Sequence, residues 1–448
     1  MHAPGRARRI PAQAAAAQPS APGPGGALAG EVELFLPAAG GAEALLAEEV
    51  QRITGTPAQA GRGGVWVRGD ARAAMRLNLE SRLAQRVLWP LAEGPCRDEQ
   101  EVYALARQID WCAWIHASQT LRVDVQAHAS PLRSLNFATL RIKDAVCDTL
   151  REACGERPSV DTHRPDLPLL AYLGPERGTL YADTSGEALF KRGWRDARGG
   201  REDVKGEAPL KETLAAAMLA AAGWQGRAED GPLLDPCCGA GTLAIEAAQM
   251  ACGIAPGLNR RFAFERQLPF RAHLPAWQTM REAARARVHA PAVAVHAGDV
   301  SFRMTDFAQR NAERAGVAHA IAFRTADALQ RPAPAARGVL VMNPPYGERI
   351  APKGRGAAPA GPGLRGREGF EEGSEPDPAR ADAADSFYSG LAAHWKRHYA
   401  GWSAWVLSPD PRLPARLRLK ESRRVPMWNG PIECRLMRFE LVAGTARG

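Results

Sequence analysis

LLDPCCGAGTLAIEAA, residues 233–248, decides the fold class. A short apolar run ends at Asp235, a glycine-rich turn follows, and an alanine-rich helix begins. Strand, turn and helix in that order belong to open α/β sheets, where ligands bind at the carboxyl ends of the strands. Gly239 and Gly241 allow a ligand close to the backbone. The free amides that open the helix favour an anionic group such as a carboxylate. The string is not G-x-G-x-x-G, because Ala244 stands three residues after Gly241. It is not a phosphate-binding P-loop either, because no G-K-[ST] follows.

Working outward, the same alternation continues. APLKETLAAAMLAAAGW, ahead of the motif, reads as a helix. PAVAVHAGDVS is a strand, SFRMTDFAQRNAERAGV a helix, and AIAFRTADAL and GVLVMNPPY two more strand ends. Strands alternating with helices predict a parallel sheet covered on both faces. Asp299 ends one strand, where a carboxylate can accept from two ribose hydroxyls, and Asp327 follows the next, where it can accept from an adenine amino group. The competing reading of each acid is a helix cap. NPPYGERI, residues 343–350, leaves the strand VLVM through a stiff shelf. Pro344 and Pro345 donate no backbone hydrogen bonds, their carbonyls and the Asn343 side-chain oxygen still accept, and Tyr346 adds a flat ring. The plain alternative is a β-turn with a packed aromatic.

Upstream, strands and helices mix without long alternation, which predicts an α+β region. EVELFLP, GVWVRGD and TLRVDVQAH read as strands. AGGAEALLAEEVQRI, ARAAMRLNLESRLAQRVLWPL and LNFATLRIKDAVCDTLREACG read as helices. PLLAYLGPERGTLYADTSG reads as two strands and a turn. Residues 186–206, rich in charge and glycine, read as a linker and plausible hinge. Residues 1–30 carry few large apolar side chains and read as a disordered leader. The low-complexity segment 351–384 reads as a disordered insert, conceivably a flap beside the site.

Composition narrows the class. The 448 residues are 45% hydrophobic and 24% charged, a soluble globular balance. No apolar run reaches the ~18 residues of a membrane span. A formal net charge of +9 leans toward a polyanionic partner. The eight cysteines form no C-x-x-C pair, which predicts small buried thiols rather than a zinc ribbon or a redox dithiol. His394 and His398 stand four apart without a third ligand, so an exposed or capping helix face is expected rather than a metal site. The basic runs GLNRRFAFERQ and PARLRLKESRRVP are either solvated faces or phosphate contacts.

DPCCGAGTLAIEAA followed by NPPYGERI resembles the class I S-adenosylmethionine-dependent methyltransferases that act on exocyclic amino groups. VDTHRPDLPL, LFKRGWR, APLKETLAAAML, NRRFAFERQLPF and NGPIECRLMRFEL, in this order, narrow the resemblance. They are similar to the bacterial large-subunit rRNA guanine-N2 methyltransferases, which carry a THUMP RNA-binding domain ahead of the catalytic one. The likeness runs from about Glu31 to Leu441. It implies a ferredoxin-like plus THUMP α+β region over 31–185, with THUMP from about 69. It then implies a Rossmann-like class I methyltransferase domain over 207–448. Some members of that family carry a second C-terminal methyltransferase domain, and this chain is expected to lack it.

The resemblance implies S-adenosylmethionine as cofactor, with Asp235, Pro236, Gly239, Gly241 and Thr242 around its methionine part. Asp299 would take the ribose, Asp327 the adenine, and Lys211 and Glu212 would lie at the cofactor edge. Asn343 and the Pro344 carbonyl, with Pro345 beside them, would accept the two hydrogens of the guanine amino group, and Tyr346 would stack on the base. The implied partner is 23S rRNA or a large-subunit precursor, in the cytoplasm, with no membrane and no metal. Three enzyme alternatives share the Asn-Pro-Pro-Tyr shelf: a THUMP-type tRNA guanine-N2 methyltransferase, an adenine-N6 DNA methyltransferase and a glutamine methyltransferase. A non-catalytic RNA-binding assembly factor is the alternative from outside the enzymes.

Overall fold

The computed structural model describes residue 28 and residues 30–195, 210–344 and 378–442. Most of the leader, part of the linker, most of the insert, and Pro345 and Tyr346 lie outside the described residues.

The N-terminal half is built from β1 (Val32–Pro37), α1 (Glu43–Thr54), β2 (Ala58–Gly61), β3 (Gly64–Gly69), α2 (Ala71–Glu80), β4 (Leu88–Pro95), α3 (Glu99–Arg107), β5 (Thr120–Ala127), α4 (Leu135–Cys154), β6 (Ser159–Val160), β7 (Leu167–Leu173) and β8 (Arg177–Asp183). Its strands form one mixed sheet in the order β2-β3-β1-β4-β8-β7-β5-β6. Side-chain caps start the helices as expected for Asp and Ser. Asp70 accepts from the Ala73 amide at 2.8 Å, Asp98 from Glu101 at 2.8 Å, and Ser134 from Phe137 at 3.2 Å. The expected long helix from Ala71 to Leu91 is instead α2 followed by strand β4. Buried Glu49 ends the helix by accepting from Ser81 Oγ at 2.6 Å and from the Arg82 and Leu83 amides at 3.0 and 3.2 Å.

The second half contains α5 (Glu212–Ala221), β9 (Leu233–Asp235), α6 (Thr242–Ala251), α7 (Leu274–Ala286), β10 (Val295–Asp299), α8 (Phe302–Arg314), β11 (Ile321–Thr325), β12 (Gly338–Met342), α9 (Pro378–His398), β13 (Trp402–Ser408), α10 (Leu413–Leu417), β14 (Glu421–Asn429) and β15 (Ile432–Leu441). Its sheet order is β11-β10-β9-β12-β13-β15-β14. The first five strands in that order are parallel, and β15 runs antiparallel to both β13 and β14. Strand order reverses between β9 and β12, and that crevice is where an open α/β sheet binds its ligand. Alternate strand residues enter different cores: Leu233 and Val341 pack on one face, Leu234, Leu340 and Met342 on the other. Both faces are therefore covered, as the alternation of elements predicts. Helix α9 reaches back to Pro378, inside the stretch expected to be a disordered insert. Its alanine and arginine are good helix formers even where apolar side chains are few.

The two halves share one core and are braced by buried polar groups. Glu246 on α6 is fully buried and takes Arg192 Nε at 2.9 Å and Arg82 Nη1 at 3.1 Å. Arg82 follows α2, so α6 is tied to the N-terminal half. The described part of the expected hinge is packed down: Leu189, Arg192 and Trp194 are all buried. The basic run GLNRRFAFERQ is also structural. Buried Arg260 donates to the carbonyls of Glu187 and Ala188, and Arg266 pairs with Asp166 at 3.0 Å.

Candidate active site

The glycine turn sits on the end of the neighbouring strand. Asp235 at the end of β9 is level with Ala297 of β10, and Leu234 is level with Leu340 of β12. Asp299 and Asn343 therefore each extend two residues past Asp235, one on either side. At about 3.3 Å per residue, this makes a notch some 6–7 Å deep over the end of β9.

The floor of the notch is tightly tied. The Cys238 amide donates to the Gly298 carbonyl at 2.7 Å, and the Gly239 amide donates to Asp299 Oδ2 at 3.1 Å. Buried Asn311 on α8 donates to the Ala240 carbonyl at 2.8 Å. Gly241 has φ of 84°, and a Cβ there would lie 2.9 Å from the Ala308 Cβ, so α6 and α8 meet at a position only glycine fills without strain. Pro236 and Thr242 are buried within the same turn.

The acids differ in environment. Asp235 is buried, accepts only weakly from the Cys237 amide at 3.3 Å, and is pushed up to about 8 by burial, with Asp299 adding to the rise. Burial also raises Asp299, opposed by the amides of Ser301 and Gly239. Asp327 accepts from the Leu329 amide at 2.9 Å. Asp299 accepts from the Ser301 amide at 2.9 Å, so both Asp299 and Asp327 make local turn bonds to the amide two residues on rather than helix caps, and Asp299 braces the glycine turn as well.

Asn343 closes the other side. Its Oδ1 is buried and, among the described residues, has no hydrogen-bond partner. A buried acceptor left without a donor costs about 1–3 kcal/mol; the Gln249 and Gln267 side-chain oxygens share that state, but the Asn343 oxygen lies just past the carboxyl end of β12, beside the notch. Pro344 beside it is buried. Pro345 and Tyr346, the rest of the expected shelf, lie outside the described residues.

Lys211 and Glu212 open α5. Lys211 is exposed, with its ammonium 5.2 Å over the Phe190 ring. Glu212 is buried and raised to about 7 by burial, against the pull of Arg195.

Several residues around the notch escaped the sequence reading. Asn311, Arg195 and Arg331 all act across long chain separations, and only their partners reveal them. Arg331 is buried beneath Gly298, with Nη1 unpaired among the hydrogen bonds, and burial lowers its pKa. His394, expected on an exposed or capping face, is buried: its Nε2 lies 2.6 Å from the Arg331 carbonyl. Of the cysteines, Cys96, Cys147, Cys238, Cys252 and Cys434 are buried, Cys237 is half-buried, and Cys112 and Cys154 are exposed, against the expectation of uniformly buried thiols. Among the described residues no cluster is arranged to hold a metal ion, and no helix is long and apolar enough to cross a membrane.

Three family models match in succession: an RlmL ferredoxin-like domain at residues 33–88, a THUMP domain at 96–183, and an RMKL-like methyltransferase domain at 198–358. Curated relatives named ribosomal RNA large subunit methyltransferase K/L include one from Syntrophotalea carbinolica, 35% identical over 92% of this chain and 54% of its own length. Another, from Shewanella baltica, is 34% identical over 93% of this chain and 54% of its own. The chain thus spans about half the length of these relatives. Among solved structures, a Listeria monocytogenes protein described as an N6-adenine-specific DNA methylase is 26% identical. It superposes with a TM-score of 0.73 over 91% of this chain and 96% of its own. SMU.472, crystallised with SAH, matches at a TM-score of 0.75 and 24% identity over 93% of this chain and the whole of its own, and shows the shared fold. In succession, then, the chain carries a ferredoxin-like domain, a THUMP domain and an RMKL-like methyltransferase domain.

Proposed function

We propose that the protein transfers a methyl group from S-adenosylmethionine to the exocyclic N2 amino group of a guanosine in large-subunit ribosomal RNA. The observation that carries this reading is the orphaned, buried Asn343 Oδ1 at the carboxyl end of β12, beside the glycine turn. An aryl amine offers two N–H donors and a weakly nucleophilic lone pair. Asn343 Oδ1 and the Pro344 carbonyl would accept those two hydrogens and turn the lone pair toward the methyl donor. Fixed acceptors also stabilise the positive charge that grows on nitrogen. Positioning supplies much of the acceleration, and the methylated nitrogen releases its proton without a strong base.

The residues present fit the cofactor. The turn leaves room for a close backbone approach at Gly239, where a Cβ would meet nothing nearer than 4.0 Å, while Gly241 lets α8 close on the turn, and the buried Asp235 lacks a strong partner. S-adenosylmethionine, when bound, supplies an electrophilic methyl group on a sulfonium. Asp235, Pro236, Gly239, Gly241 and Thr242 would surround its amino-acid end, with Lys211 and Glu212 at the edge. Asp299 would accept from the ribose, Asp327 would take the adenine, and Tyr346, next to Pro345, would stack on the flipped base. Such stacking offsets about 1–3 kcal/mol of the cost of flipping.

The names of the curated relatives and the THUMP match favour RNA over the DNA acceptor named for the Listeria protein. The α+β region over 31–185 would hold the RNA and the domain over 207–448 would carry the chemistry, in the compartment where ribosomes are assembled. Asn343→Ala is expected to keep cofactor affinity within about twofold and to lose roughly a hundredfold or more in turnover. Calorimetry and single-turnover transfer to deproteinised RNA measure the two. Turnover near that of the unmodified protein would remove the shelf from the mechanism.

A further inference from the structure

The segment LFKRGWR, which opens the linker, ends in a guanidinium that joins two helix starts. Arg195 Nε lies 3.0 Å from Glu212 Oε1. Its Nη2 donates to the Leu210 carbonyl at 3.2 Å and to the Thr242 hydroxyl. Glu212 is the first residue of α5, with Leu210 two positions ahead of it, and Thr242 is the first residue of α6, directly after Gly241. One side chain therefore spans from the start of α5 to the glycine turn. The Glu212 and Thr242 side chains it reaches are both buried. The guanidinium also lies 4.8 Å from the centroid of the Trp194 ring, which restricts its own freedom.

We propose that Arg195 is a positioning residue for cofactor binding, holding Glu212 as an anion that accepts from the ammonium of the cofactor's amino-acid end and fixing α5 against the glycine turn. The inference rests on the cofactor site argued above. Its physical basis is geometric: among the described residues, a buried carboxylate at the edge of an amino-acid-binding turn has one direct cationic partner, and that partner also grips the turn. Among the described residues, the charged groups that act on Glu212 are Arg195 and Arg192, which favour its anion, and Glu246, which opposes it. Burial is the largest influence and places its titration at about 7. Ionised Glu212 is thus available only on the alkaline side of about 7. The acid limb of cofactor affinity should report it. The ligand's own amine sets the alkaline limb, the same for every variant.

The test is S-adenosylmethionine affinity by calorimetry from pH 5.5 to pH 9 for the full chain and for Arg195→Gln, Arg195→Lys and Glu212→Gln, with thermal melts to certify folding. Wild type should gain affinity through an acid limb near 7. Arg195→Gln should move that limb alkaline by about 1–3 pH units, the size of an arginine's effect on a neighbouring carboxylate. Arg195→Lys should restore part of the shift. Glu212→Gln should remove the part of the limb near 7, leaving only that of Asp235 near 8, and weaken binding roughly tenfold to a hundredfold at pH 8. An acid limb that stays in place in Arg195→Gln, or that is unchanged from wild type in Glu212→Gln, overturns the proposal. It would then belong to Asp235, which is influenced by Arg331 and Asp299. If Arg195→Gln fails to fold, Arg195→Lys and Glu212→Gln decide alone, and unchanged limbs in both overturn the proposal. No affinity at any pH in folded wild type overturns the cofactor site itself, a result distinct from a binding profile that ignores Arg195.

Discussion

Asp235 is the residue whose burial has the clearest consequence. Its carboxyl titrates at about 8 in the fold, against 3.8 for the free side chain. A group with its folded value raised contributes stability below its unfolded value, and that contribution is lost as pH rises through the folded value. The cofactor-free protein should therefore lose about 2 kcal/mol from this group between pH 6 and pH 8. Asp235→Asn should flatten that fall in urea unfolding, raise stability at pH 9, and abolish cofactor binding. A variant less stable than wild type at pH 9 would contradict the burial argument. Asp235, Asp299, Asn343 and the two glycines were legible in the sequence because each stands beside a strand end or turn that the local pattern defines. Arg195 and Arg331 were not, because their roles come from partners distant along the chain or from a sheet surface that only folding creates.

The elements followed the hydrophobic periodicity wherever one period dominated. The strand, turn and helix of β9 and α6, the strands β10 and β12, and the helix α4 lie where the pattern puts them. The misread stretch from Ala71 to Leu91 carries apolar residues compatible with either period. The choice there is made by Glu49, which lies more than thirty residues away along the chain from the Leu83 amide it caps. Close contact between elements is equally invisible in one sequence. Gly241→Ala would force a Cβ to within 2.9 Å of the Ala308 Cβ at a φ of 84°. It should lose about 1–3 kcal/mol in urea unfolding and weaken cofactor binding by roughly tenfold or more, read by calorimetry. Wild-type values in both would show that α6 and α8 can separate at no cost, against the packing described.

At the scale of the molecule, the sequence indicated two regions joined by a hinge, whereas the described part of that segment is a brace. Arg82, Arg192 and Glu246 form a buried ionic cluster that crosses from the N-terminal half to α6. Removing the shared carboxylate strands two buried cations, so Glu246→Leu should cost about 3–5 kcal/mol. It should also sensitise the linker to limited proteolysis, whereas unchanged urea unfolding would deny the cluster a role in joining the halves. On the proposed function, a fixed relation between the THUMP-bearing half and the notch would let the protein select a base by its distance from a bound RNA element. The most direct test of the whole account is transfer of labelled methyl from S-adenosylmethionine to total RNA from cells deleted for the protein, followed by nucleoside analysis. Label is expected in N2-methylguanosine from large-subunit ribosomal RNA, reduced roughly a hundredfold or more by Asn343→Ala. Label in any other nucleoside, in transfer RNA alone, or only in DNA would contradict that mechanism and its substrate.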